Sequence, residues 1–269
     1  MPFTMGPSLL FAPADRPDRF AKAAGRADAV ILDLEDAVAP EAKAAAREHL
    51  VNTPLDPATT MVRINALGTD DAARDLEALA NTCYRTIMVA KSENPAAVAA
   101  LAGFHVVALC ETASGVLAAP ALAGLPNVVA LMWGAEDLVA SLGGTASRHV
   151  NGAYRDIAKH ARATVLLAAG AHGKAAIDAI YANIPDLAGL AAEAGDAVAS
   201  GFGATACIHP SQVAVIRDAY RPTPGQVADA TALLAAAEAA GTGVFVYNGK
   251  MVDGPILKHA EATLRRAGS

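Results

Sequence analysis

The sequence predicts an α/β protein, a (β/α)8 TIM barrel with a C-terminal helical lid or arm, and three observations carry that prediction. Short apolar runs of strand character alternate with helical segments along most of the chain. Eight such strand–helix pairs fit within the 269 residues, and a barrel of this kind needs about 250 residues. No G-x-G-x-x-G follows the first strand, which sets aside the dinucleotide-binding form of an open doubly wound sheet.

The first unit pairs a strand at 8–13 with a helix at 15–25. The second opens at 29–34, where Val30, Ile31 and Leu32 form an apolar run, and continues into a helix at 40–52 whose Pro40 suits a first-turn position. Further strands are expected at 61–65, 86–90, 106–110, 128–133, 175–180 and 204–208. The helices that follow them are expected at 71–81, 95–102, 115–122, 153–171, 186–200 and 211–219, the last starting at Ser211 behind a proline. "RPTPGQ" at 221–226 then breaks the pattern. A helix at 227–240, the Gly-bearing segment "GTGVFVYNGKMVDGP" and a helix at 256–267 remain, too little for a domain but enough for a lid or an interface arm. The expected organisation is a catalytic barrel over 1–220 and a lid or oligomerisation arm over 221–269.

Composition removes several classes of function. Hydrophobic residues make up 54% of the chain, which excludes a disordered protein. No stretch approaches the roughly 20 apolar residues of a membrane span, and "MPFTMGPSLLF" lacks the basic start and apolar run of a signal peptide. A cytoplasmic protein without membrane contact is expected. The net charge of −6 argues against nucleic acid as a partner, although Arg16, Arg19, Lys22, Lys43 and Arg47 could form a local patch for an anionic ligand. Cys83, Cys110 and Cys207 have neither zinc nor disulfide spacing, and the last two read as buried thiols.

In such a barrel the strand ends form the catalytic mouth, and here nearly every strand ends on an ionisable group. Arg16 follows the first, Asp33, Glu35 and Asp36 the second, Arg63 with Asn65 the third, Lys91 with Glu93 the fourth. Glu111 follows the fifth, Glu136 and Asp137 the sixth, Asp178 the seventh and His209 the eighth. Carboxylates outnumber cations in this set, which suits a divalent metal. Mg²⁺ takes one or two carboxylates plus water and substrate oxygens. Glu111 and Asp137, on consecutive strands, are the preferred ligand pair, with Glu136 the rival to its neighbour. Arg63 is the natural clamp for a substrate carboxylate, because its planar fork binds one in bidentate fashion. It could equally neutralise Asp33, and both can hold. Glu35 and Asp36 could support the centre or prepare the start of the next helix. His209 could act as a base or be explained by local packing. Lys91 could form a Schiff base in a metal-independent aldolase, a reading the carboxylate pair disfavours. Gly143–Gly144 reads as a flexible turn.

The segments "LLFAPADRPDRFAKA", "DAVILDLEDAVAPEAKAAAR", "VRINALGTDDAARDLEAL", "ALCETASGV", "WGAEDL", "AAIDAIYANIPDLAGL", "CIHPSQV" and "NGKMVDGPILKHA" resemble, in order and over nearly the whole chain, the citrate lyase β-subunit-like family, which includes malyl-CoA and citramalyl-CoA lyases. The chain departs from that pattern at Pro7, Ala14 and Ala90. The resemblance implies a Mg²⁺-dependent barrel enzyme that cleaves or forms a C–C bond between an acyl-CoA and a keto acid. It implies metal ligation by Glu111 and Asp137 and substrate binding by Arg63. It also implies CoA near the first strand's loop, with Arg16 and Lys22 as phosphate contacts. The arm of one subunit is expected to cover a neighbour's mouth in a homo-oligomer, a trimer or hexamer, with Asp253 as the acid/base. Asp33, Glu35 and Asp36 then support the centre and hold Arg63. The expected substrate is a 3-hydroxyacyl-CoA such as citramalyl-CoA, malyl-CoA or 3-hydroxy-3-methylglutaryl-CoA. The alternatives are a citrate lyase β subunit acting on an acyl-carrier-protein thioester, a metal-dependent pyruvate aldolase, and a non-enzymatic regulator on the same barrel.

Overall fold

A computed structural model of the chain describes residues 3–268. Eight parallel strands close into a barrel in sequence order: β1 (Ser8–Pro13), β2 (Ala29–Asp33), β3 (Thr60–Ile64), β4 (Thr86–Val89), β5 (His105–Cys110), β6 (Val128–Trp133), β7 (Ala175–Asp178) and β8 (Ala204–Cys207). β1 pairs with β8, so the sheet has no free edge. Each expected strand is present, with ends moved by at most two residues. The (β/α)8 barrel is thus the fold of this chain.

The helices α1 (Phe20–Ala24), α2 (Lys43–Asn52), α3 (Asp70–Leu79), α4 (Pro95–Ala99), α5 (Ala113–Ala123), α6 (Ala135–Ser141), α7 (Asp156–Ala171) and α8 (Leu187–Ser200) connect the strands, and α9 (Pro210–Tyr220) follows the last of them. Several begin on side chains that accept from the first-turn amides, as Thr69 does for α3, Asn94 for α4, Thr112 for α5 and Asp186 for α8. α1 and α2 are each preceded by a short 3-10 turn. α6 is a finding that the hydrophobic pattern did not give: it starts directly after β6, and α7 follows only at Asp156.

Strand pleating fills the barrel interior. Leu9, Ile31, Met61, Met88, Val107, Leu109, Met132, Ile177 and Ala206 belong to one buried cluster. Because side chains alternate along a strand, Asp33, Arg63 and Glu111 point the same way as Ile31, Met61 and Leu109, one pleat nearer the mouth. Register completes the placement. Asp33 is the partner of Arg63 across β2–β3, and Cys110 is the partner of Trp133 across β5–β6, which sets Glu111 beside Gly134.

The chain divides into two compact units, Met1–Ile216 and Arg217–Ser269. In the second, α10 (Pro224–Ala240) packs with α11 (Gly254–Ala267). α10 starts on a reciprocal capping box between Thr223 and Gln226. Between the helices, β9 (Phe245–Tyr247) and β10 (Lys250–Val252) form an antiparallel hairpin. Its turn is Asn248–Gly249, both with positive φ (48° and 73°), the two-residue turn that matches the twist of paired strands. No helix among the described residues is long and apolar enough to cross a membrane.

Candidate active site

The mouth of the barrel gathers seven charged side chains in one connected set. Arg63 donates from Nε to Asp33 Oδ1 (2.7 Å) and from Nη2 to Asp33 Oδ2 (2.6 Å), and its Nη1 lies 3.0 Å from Glu35 Oε2. Asp33 is fully buried and also accepts from the amides of Glu35 and Ala37, so the turn after β2 is folded around this one carboxylate. Burial works against the Arg63 charge, but the Asp33 hydrogen bonds and the Asp33, Glu35 and Glu111 charges outweigh it and hold the guanidinium above its ordinary pKa. Its Cζ lies 4.9 Å from the centre of the Phe11 ring. The bidentate edge of Arg63 is therefore taken by Asp33. What remains for a ligand is the part of the outer edge that Glu35 leaves open at Nη1, a narrower grip than a free fork.

Lys91, just after β4, ties the other members together. Its ammonium donates to Glu35 Oε1 and to Asp36 Oδ2 (3.3 Å) and lies 3.7 Å from Asp137 Oδ1. Its backbone amide donates to Glu111 Oε1 (3.0 Å). Burial alone would lower its pKa, but Glu35, Glu111 and Asp36 raise it. A Schiff-base lysine needs the opposite shift, so this geometry counts against that reading. Lys91 draws Asp36 below its usual range against the cost of burial, whereas burial pushes Glu35 up.

Glu111 is 3% exposed. Burial first, and then the charge of Asp137, push its carboxyl up to about 8. A buried carboxyl beside a second one in this way is short of positive charge, and a divalent cation supplies that. Among the described residues no three His, Cys, Asp or Glu side chains form a metal-binding group. A cation here could take Glu111 and Asp137 and complete its shell with water and ligand oxygens, the habit of Mg²⁺. Glu136 points elsewhere: its Oε1 accepts from the Ser147 hydroxyl (2.5 Å), which anchors the segment after α6 and leaves Asp137 as the partner of Glu111. Gly134 makes the fit possible, since a Cβ there would lie 3.0 Å from both Cβ and Oε2 of Glu111.

Beside the mouth is a pocket of about 590 Å³, within the roughly 300–1,000 Å³ of small-molecule sites. Arg16, Arg19, Lys22 and Arg26 line it against a single acid, Asp18, with Phe11, Pro13, Ile208 and Pro210 supplying apolar wall. Phe11 joins the two regions, because it also lies under Arg63. Arg16 and Lys22 are thus brought together, and Arg16 donates to Asp18 (3.3 Å).

Of the other strand-end groups, His209 lines the basic pocket and the rest go elsewhere. Asn65 is buried with Asp75 and Lys43 on the α2–α3 side. Asp178 accepts from Trp133 Nε1 (2.6 Å) and from Arg162 of α7 (2.8 Å), which makes it a strut between the barrel and its helix layer. Glu93 accepts from the Thr112 hydroxyl, and His209 Nδ1 is held by Ser211. Asp253 belongs to the second unit, at the N-cap position of α11, where its side chain makes no capping bond. Two contributors escaped the sequence reading, Gly134 because it has no side chain to notice and Ser147 because it lies in a patternless segment; Lys91 was placed at the mouth, but not the bond of its backbone amide to Glu111.

The family described as HpcH/HpaI aldolase/citrate lyase matches residues 7–210. The chain is 57% identical to a citrate lyase subunit beta-like protein of Mycobacterium tuberculosis, over 98% of this chain and 96% of that one. It is 36% identical to a (3S)-malyl-CoA thioesterase of Cereibacter sphaeroides, over 97% and 94%. It is 31% identical to the mitochondrial citramalyl-CoA lyase of Homo sapiens, over 97% and 85%. Its fold superposes with a TM-score of 0.94, at 56% identity and 99% coverage of both chains, on the crystal structure of the Mycobacterium tuberculosis protein CitE in complex with magnesium, acetoacetate and coenzyme A. The chain belongs to the HpcH/HpaI aldolase/citrate lyase family.

Proposed function

We propose that this member of the HpcH/HpaI aldolase/citrate lyase family is a Mg²⁺-dependent carbon–carbon lyase. It cleaves, or forms, a 3-hydroxyacyl-CoA such as citramalyl-CoA, malyl-CoA or 3-hydroxy-3-methylglutaryl-CoA, giving acetyl-CoA and a keto acid. The observation that carries this reading is the meeting, through Phe11 and Arg63, of two sites: a mouth where buried Glu111 and half-buried Asp137 are short of positive charge, and a basic pocket of about 590 Å³. A related structure at 56% identity holds magnesium, acetoacetate and coenzyme A together.

Glu111 and Asp137 would hold Mg²⁺, which when bound supplies Lewis-acid polarisation of a substrate oxygen. Arg16 and Lys22 would bind the CoA phosphates, and the thioester arm would run past Phe11 to the mouth. There the outer edge of Arg63 would meet the substrate carboxylate or the developing enolate charge. In the cleaving direction the substrate hydroxyl gives its proton to water and its O–H electron pair becomes the new carbonyl. The C–C pair passes to the acyl-CoA α-carbon as an enolate, and Asp253 supplies the proton to that carbon. Asp33, Glu35 and Asp36 keep Arg63 and Lys91 in place. We further propose a homo-oligomer in which the 221–269 arm of one copy brings Asp253 to the mouth of another.

A second reading, thioester hydrolysis, is favoured by the malyl-CoA thioesterase relative. Purified protein with Mg²⁺ and each of the three CoA esters separates them. A lyase releases acetyl-CoA and keto acid in equal amounts, whereas a thioesterase releases free CoA and no keto acid. Asp253→Asn should lower lyase turnover roughly 10²–10⁴-fold, the share of general acid–base catalysis. Mixing it with inactive Glu111→Ala protein should restore partial activity. If subunits demonstrably exchange and no activity returns, the crossing arm is wrong.

A further inference from the structure

Lys91 has an unusual backbone for a residue with a Cβ. Its φ is +46°, in the left-handed region that such residues rarely adopt. That conformation aims two groups at once. The amide holds Glu111 Oε1 at 3.0 Å, while the side chain runs across the mouth to Glu35, Asp36 and Asp137. The ammonium thereby bonds groups that follow β2 and lies near Asp137 of α6, although Lys91 itself follows β4.

The contact with Asp137 differs from the others. At 3.7 Å it is beyond hydrogen-bond length, so the ammonium is anchored by Glu35 and lies in the field of Asp137 without a full bond. The Lys91 side chain is 32% exposed and already bonds Asp36, which is open to solvent. Through one residue, the two carboxylates that could hold a metal are given a fixed geometry at Glu111 and a displaceable positive charge at Asp137.

We propose that Lys91 is a built-in counter-ion, a positioning residue that competes with Mg²⁺ for Asp137 and so sets how tightly the mouth holds metal. This rests on the reading of Glu111 and Asp137 as the metal ligands. A metal entering at Asp137 meets a like charge a few ångströms away, and the repulsion is felt because the site is partly dehydrated. The counter-ion keeps the acidic mouth intact while the metal is away and keeps metal binding weak and reversible.

The test is calorimetric titration with MgCl₂ alone, without substrate, on the full chain. Wild type, Lys91→Met, Lys91→Gln, Lys91→Arg and Glu111→Ala are compared. The neutral variants should bind Mg²⁺ about tenfold more tightly or better, and the Arg variant, which keeps the charge, should stay within about threefold of wild type. In EDTA the neutral variants should melt lower than wild type and regain the difference when Mg²⁺ is added. Lys91→Gln keeps a donor for Glu35 and serves if the Met variant does not fold. An unchanged or weaker Mg²⁺ affinity in the neutral variants overturns the counter-ion role. Absence of Mg²⁺ binding in wild type, or wild-type affinity in Glu111→Ala, removes the metal site itself, and the counter-ion role goes with it for that separate reason.

Discussion

Two polar clusters flank the end of β2, and they are built on opposite plans. On the α2–α3 side, the Lys43 ammonium donates to Leu34 O (2.8 Å), Glu35 O (3.1 Å) and Asn65 Oδ1 (2.7 Å). Asn65 donates to Asp75, and Arg47 donates to Asp75 (2.7 Å) and Asp71 (2.6 Å). That cluster sets two cations against two carboxylates, and each ammonium hydrogen has its own acceptor. On the mouth side, Asp33, Glu35, Asp36, Glu111 and Asp137 face only Arg63 and Lys91. Balance marks the first cluster as architecture. The surplus of carboxylates in the second is not balanced within the cluster, which is the basis for proposing a cation and a ligand there.

The contrast breaks most completely at the proposed metal pair. Glu111→Ala or Asp137→Ala should abolish turnover and Mg²⁺ binding while leaving a folded barrel, because removing a carboxylate relieves an excess there. Calorimetry and circular dichroism check it; full activity in either variant, or in EDTA, would sink the metal site. Arg63→Lys is next. It keeps the charge but cannot reproduce the two-point bond to Asp33 while offering an edge to substrate, so turnover should fall on the order of 10²-fold. A loss of about twofold or less would leave Arg63 as a partner of Asp33 alone, the scale of a weak ion pair. The smallest catalytic effect and the clearest stability effect should come from Lys43→Met. It strands buried acceptors, and urea unfolding should show a loss on the order of 2 kcal/mol. Mg²⁺ affinity should remain within about threefold of wild type, a shift of well under 1 kcal/mol. A loss of Mg²⁺ binding would mean that the two clusters are one.

The strands and the mouth were legible because apolar runs end on charged groups and pleating fixes which of those groups face inward. Asp33, Arg63 and Glu111 follow from that rule alone. Asp178 shows its limit: it too ends a strand, yet it turns to Arg162 in the helix layer, and no strand pattern contains the helix that receives it. The choice between Glu136 and Asp137 depended on Ser147, eleven residues away from Glu136 in a segment without periodicity. α6 was hidden because it holds seven residues, about two turns, too few to establish a helical period. The hairpin at Asn248–Gly249 carried the Asn-Gly signal, and its strands of three residues are too short for alternation to declare them.

Anyone reshaping this barrel for another substrate meets a fixed point at Gly134. A library that varies position 134 with the surrounding loops would contain, at that position, side chains that all crowd Glu111. A Cβ at 134 would stand 3.0 Å from the Cβ of Glu111 as well as from its carboxylate. The first of those atoms is fixed by the backbone of β5 and cannot rotate away. Alanine, the mildest substitution in most scans, at this position asks Glu111 and the strand end that carries it to give by a few tenths of an ångström.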